Sequence, residues 1–118
     1  MPVKSRVYNV RHEIMDMHYV LELGVVLSGR VRRYYPGVEM DLSAGDVWMS
    51  GVWEPHGAKI LRQPSKRMVL ITTPPVLAGI RFEESPELSL LAPFLRPPED
   101  RPVTPSGKKK EVLEVARK

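Results

Sequence analysis

Turn signals recur about every ten residues between positions 7 and 82, a rhythm that restricts the chain to short strands joined by tight loops. Residues 20–27 are rich in β-branched and large apolar side chains, and Gly29 punctuates them. Residues 31–35 follow and are closed by Pro36-Gly37, a turn dipeptide. Val38-Glu39-Met40-Asp41-Leu42 alternates with period two, the pattern of a half-buried strand. Ser43-Ala44-Gly45-Asp46 supplies the next turn, residues 47–49 a short strand, and residues 51–57 a loop. Residues 59–62 and 67–73 flank a turn at Gln63-Pro64-Ser65-Lys66, and residues 76–82 make a last strand after Pro74-Pro75. Such a series predicts an all-β sandwich or barrel and not βαβ units.

After position 82 the composition shifts. Residues 86–92 read as a short helix, with Pro86 near its start and Pro93 at its end. Residues 96–107 hold Pro97, Pro98, Pro102 and Pro105 and predict an extended linker. Residues 108–118 begin an amphipathic helix with Val112, Leu113 and Ala116 on one side. That apolar stripe needs cover, from the same barrel or from another copy. The expected division is a β-barrel over 1–83 and a C-terminal extension over 84–118.

A chain of 118 residues, 42% of them apolar, is enough for one domain with one core. It has no apolar run of membrane-spanning length and no apolar segment behind Lys4 and Arg6 of the kind a secretion signal needs. It has no cysteine, which excludes disulfides and thiolate metal sites and fits a reducing cytoplasm. The net charge of +4 resides mainly at the C-terminus. Lys108, Lys109, Lys110, Arg117 and Lys118 face only Glu111 and Glu114 there, leaving 13 bases against 12 acids elsewhere. A near-neutral body predicts no direct nucleic-acid contact by this domain.

The stretch Asp16-Met17-His18-Tyr19-Val20-Leu21-Glu22 carries the chemistry. On an extended strand Asp16, His18 and Glu22 share one face, while Met17, Tyr19, Leu21, Leu23 and Val25 share the other. Either the odd face is the core and the even face is wet, or the even face lines a pocket and a helix or second subunit covers the odd one. A bulge partway along would exchange the two faces. Trp48 and Trp53 precede His56, and Tyr19, Tyr34 and Tyr35 lie on strands that can come near; such rings stack on sugars or aromatic acids. Arg30, Arg32, Arg33 and Arg62 read as a solvated strand face, with a carboxylate grip by one of them as the alternative. His12 reads as an exposed strand-end residue.

His18, three residues, Glu22, six residues and Gly29, followed by Gly45 and Pro55-His56, resemble the two motifs of the cupin superfamily in order and separation. Asp16 replaces the first histidine of the expected pair, Val10 its leading glycine, Gly51 the proline and Trp53 the glycine of the second motif. Ile60 takes the place of the later asparagine. The resemblance implies a double-stranded β-helix, the cupin jelly-roll barrel. It also implies that His18, Glu22 and His56 would present two imidazoles and a carboxylate to iron, manganese or zinc, with Asp16 as a further ligand or an orienting group. The same residues, with Trp48, otherwise line a metal-free pocket.

Residues 18–29, the strand 30–35, Leu42-Ser-Ala-Gly-Asp-Val47 and Glu54-Pro-His56 are more narrowly similar to the N-terminal effector-binding and dimerisation domain of AraC-type transcription regulators. Leu91-Ala-Pro-Phe-Leu95 and the proline-rich passage resemble the exit from that barrel. This resemblance implies a non-catalytic, cytoplasmic homodimer that receives a small effector, a sugar or an aromatic or organic acid. DNA contact would belong to a helix-turn-helix half that these residues do not hold. The rival expectation is a small stand-alone metal-dependent cupin enzyme of dioxygenase or isomerase type.

Overall fold

Strands β1 (Lys4–Tyr8), β2 (Ile14–Asp16), β3 (Leu21–Tyr35), β4 (Val38–Ser43), β5 (Val47–Ser50) and β6 (His56–Thr72) precede helix α1 (Pro74–Ala78). Two 3-10 turns, Ala92–Leu95 and Pro98–Asp100, lead to helix α2 (Lys109–Ala116). The computed structural model describes residues 4–8, 14–17, 19–80, 83–85 and 89–118, and for 4–8 and 14–16 it describes the backbone.

All the pairings between these strands are antiparallel, in the order β1-β6-β3-β4, with β2 also on β6 and β5 also on β3. The long strands β3 and β6 form the spine: Leu21 pairs Thr72 at one end and Tyr34 pairs Gly57 at the other. The result is an all-β jelly roll with a short helical C-terminus, as expected.

Between Val26 and Val31 the ladder slips at Val26/Ser28, Ser28/Arg30 and Arg30/Val31, and there the ribbon folds over. The bulge exchanges faces. Val26 points into the core before it, and Val31, Arg33 and Tyr35 are buried after it. Before the bulge Leu21 and Val25 on the odd face are buried as well as Val26 on the even one, so both faces are covered there. The core is Val26, Val31, Leu42, Trp48 and Val69, with Met40, Ile60 and Ile71 packed against them. Gly24 makes room for Trp48, because a Cβ there would overlap the indole ring.

Four local expectations are corrected. Gly29 does not end a strand, and Gln63-Pro64-Ser65-Lys66 is not a turn; β3 and β6 run through both, because each bends with the other at the bulge. The strand expected over residues 76–82 is absent from its described part, 76–80. Pro74 and Pro75 carry preset helical φ angles and open α1 behind Thr73, while Arg81 and Phe82 lie outside the described residues. The helix expected over 86–92 is absent from its described part. Ser89 Oγ accepts from the Leu91 and Ala92 amides, and Pro93 opens a 3-10 turn; Pro86, Glu87 and Leu88 lie outside the described residues.

The C-terminal segment packs back onto the barrel. Val112, Val115 and Ala116 of α2 face Leu23, Val25, Met68 and Leu70 of β3 and β6 across a groove of about 560 Å³. Thr104 Oγ1 donates to Gly45 O at 2.7 Å, and Lys109 Nζ meets Asp46 Oδ2 at 3.1 Å and Ser43 Oγ at 2.8 Å. Gly45, at φ 93°, leaves the space that Lys109 fills; a side chain there would strike the helix backbone. Among the described residues, no helix is long and apolar enough to cross a membrane.

Candidate functional site

His56 opens β6 and Glu22 lies near the start of β3, so the sheet brings two residues far apart in sequence together. The imidazole Nδ1 donates to Glu54 O at 2.8 Å, which fixes the tautomer, and Nε2 faces Glu22 Oε2 at 3.2 Å. Both side chains are largely buried. Burial by itself lowers the His56 pKa. The Glu22 hydrogen bond, the Glu54 carbonyl and the Glu22 charge outweigh burial and the opposing Arg33 charge, so the group titrates above its ordinary range.

Arg33 is 4% exposed. Its guanidinium stacks on the Trp48 ring at 4.6 Å, and Nη2 donates to Ser50 Oγ at 3.5 Å. Ser50 Oγ lies 3.3 Å from the Tyr35 hydroxyl, which donates to Met49 O at 2.7 Å. From Met49 O the polar chain passes to the C-terminal segment, where Arg101 Nη1 donates to the same carbonyl at 2.9 Å. Arg101 also grips Glu54 with both ends of its fork, Nη1 to Oε1 and Nη2 to Oε2, each at 2.6 Å. Its Nε donates to Arg96 O at 3.0 Å, and Glu54 Oε1 accepts from the Gly51 amide at 3.1 Å. A second cavity of about 470 Å³ lies beside this pair, lined by Leu21, Val52, Phe94 and Leu95 among others.

Tyr19 and Trp53 are 52% and 56% exposed, and their rings stand 6.1 Å apart at 54°. Trp53 holds φ at 55°, a left-handed conformation that bulky residues seldom adopt. It occupies the motif position where a cupin has glycine, so the backbone keeps the shape while the side chain adds an aromatic face.

Of the expected site residues, Glu22 and His56 meet. Asp16 pairs with His56 in the β2–β6 register, and only its backbone is described. His18 and His12 lie outside the described residues. Trp48 is 1% exposed and belongs to the core, where it presents its ring to Arg33. Arg30 and Arg62 are exposed as expected, and Arg32 is half-buried beside Asp41, its Nε 2.6 Å from Oδ1. Arg33 departs from the expectation: the face exchange at the bulge turns it inward with Val31 and Tyr35. Sequence reasoning also misses Ser50 and the Glu54–Arg101 pair. Arg33 shares one parity with Val31 and Tyr35, but which way that face points depends on the register with β6. Nothing in the proline-rich passage marks Arg101.

A divalent ion is what the cupin pattern implies here. Nδ1 anchored on a carbonyl leaves Nε2 for a metal, and Glu22 stands where a second ligand would. Among the described residues, no three His, Asp or Glu side chains converge, and the Arg33 charge acts on the same imidazole. The described donors are Glu22 and His56, which lie in the field of the buried Arg33 cation; the other two ligands that the resemblance implies, His18 and the Asp16 side chain, lie outside the described residues.

Solved structures share the fold, one of them a cupin-2 domain protein. An oxalate decarboxylase of Bacillus subtilis with Mn(II) centres superposes with a TM-score of 0.55 at 15% identity, over 60% of this chain and 21% of that one. A cupin-2 domain protein of Shewanella frigidimarina gives 0.53 at 17% identity, over 58% of this chain and 68% of that one. A tryptophan-to-tyrosine variant of the Bacillus subtilis decarboxylase gives 0.52 at 17% identity, over 75% of this chain and 24% of that one. The chain thus spans about a fifth to a quarter of the decarboxylase chains it resembles. No family model matches the sequence. No curated protein matches it.

Proposed function

We propose, from the premise of a cupin barrel, that this chain is the effector-sensing and dimerisation domain of an AraC-type transcription regulator. The observation that carries the reading is the polar chain that runs from Arg33 inside the barrel, through Ser50, Tyr35 and Met49 O, to Arg101 in the C-terminal segment. A core built only for stability has no use for a stacked guanidinium, two hydroxyls and a histidine–carboxylate pair. A sensor has a use for them: the interior holds a small molecule, and groups touching it also touch the segment that leads away. The exposed Tyr19–Trp53 pair offers two aromatic faces to a ligand. The narrower sequence resemblance favours the regulator over an enzyme.

The switch works if the effector prefers one arrangement of Tyr35 and Arg101, whose guanidinium lies 5.6 Å over the Tyr35 ring, to another. The dimer forms through α2, whose Val115 borders the groove against the barrel yet stays largely exposed. The domain works in the cytoplasm and leaves DNA to a separate reader. Sedimentation of the chain tests the assembly: a homodimer is expected, and Val115→Asp should give monomers. Metal analysis of protein from unsupplemented medium tests the rival. About one equivalent of iron, manganese or zinc, lost in His56→Ala, would support the metal-dependent enzyme instead.

A further inference from the structure

The charge on Arg33 is unanswered. Among the described residues no carboxylate reaches its guanidinium; it has the Trp48 ring and one long hydrogen bond from Nη2 to Ser50 Oγ. Its Nε is buried without an acceptor among the described residues, and so is Nε1 of Trp48, the ring it lies upon. Two orphaned N–H donors and a full positive charge therefore share one stacked pair in the barrel interior. Burying a guanidinium this way is costly unless an anion completes it. Glu54 does not serve, because both of its oxygens belong to Arg101.

We infer that the ligand of this barrel is a small organic acid whose carboxylate seats on Arg33 and Trp48. The inference rests on the reading of the barrel as a small-molecule binder and narrows it, excluding a neutral sugar. A planar carboxylate matches the guanidinium fork and has lone pairs enough for the indole donor as well.

Benzoate and benzamide separate the possibilities, because they share shape and differ in charge. Calorimetric titration of the whole chain is expected to show benzoate binding and benzamide not binding. Arg33→Met keeps the side-chain bulk and removes the charge, and should bind benzoate roughly 30-fold more weakly or worse. Arg33→Lys, which keeps the charge without the fork, should fall between. Equal binding of benzoate and benzamide by the unaltered chain overturns the anion seat and leaves the sensor reading standing, as does full affinity in Arg33→Met. The unaltered-chain comparison decides even where a variant fails to fold. A neutral sugar that binds while small carboxylates do not has the same consequence. Absence of binding by every acid, amide and sugar in such a panel sinks the anion seat and the sensor together.

Discussion

At the scale of single residues, the His56–Glu22 pair ties stability to pH. The folded state holds the His56 pKa above its ordinary 6.5. The stabilisation is therefore complete below that value and is lost as pH rises through the folded pKa. Glu22→Gln removes the carboxylate but keeps burial and the Arg33 charge, both of which lower the pKa. NMR titration of the His56 ring should show its midpoint moving down in Glu22→Gln, and urea unfolding should lose its decline across that window. A midpoint unchanged by the substitution would show that Glu22 does not set it. Gly24 is the packing counterpart. Its missing Cβ admits the Trp48 ring, so Gly24→Ala should cost about 1–3 kcal/mol by overpacking, read as a lower urea midpoint. Trp48→Ala should cost more, about 3–5 kcal/mol, because it empties the centre of the core.

At the scale of elements, β4, β5 and α2 are legible in the sequence, while the long strands and α1 are not. Residues 38–42 alternate cleanly and form β4, and the apolar stripe of 108–118 forms α2. The continuity of β3 and β6 is hidden because glycine and proline punctuate a bulge just as they punctuate a turn. The same bulge hides Arg33, since its facing depends on a slip that only pairing with β6 defines. Glu22 and His56 can be found because motif spacing survives where local signals fail. Arg101 cannot: its role comes from a contact with Glu54 that crosses 47 positions. That contact should hold the C-terminal segment in place. Its side chains are 7% and 17% exposed, so removing one partner leaves a charge stranded. Arg101→Ala is expected to cost about 3 kcal/mol or more and to speed amide exchange across residues 96–118. A double-mutant cycle with Glu54→Ala should recover part of the loss; simple additivity would show that the pair is not coupled.

At the scale of the whole molecule, the spine of β3 and β6 serves both halves of the barrel, and the other strands lean on one of these two. Neither half owns a separate backbone. Scanning calorimetry should therefore give one transition whose calorimetric and van't Hoff enthalpies agree, and two resolved peaks would contradict the shared spine. The fold-over near Ser28 and Lys66 has a mechanical meaning too. The chain resembles a strap bent double: a twist applied to its free ends, where His56, Glu22 and Arg101 gather, meets no joint at which to dissipate before the crease. A molecule that presses on those ends would have the whole sheet as its lever arm.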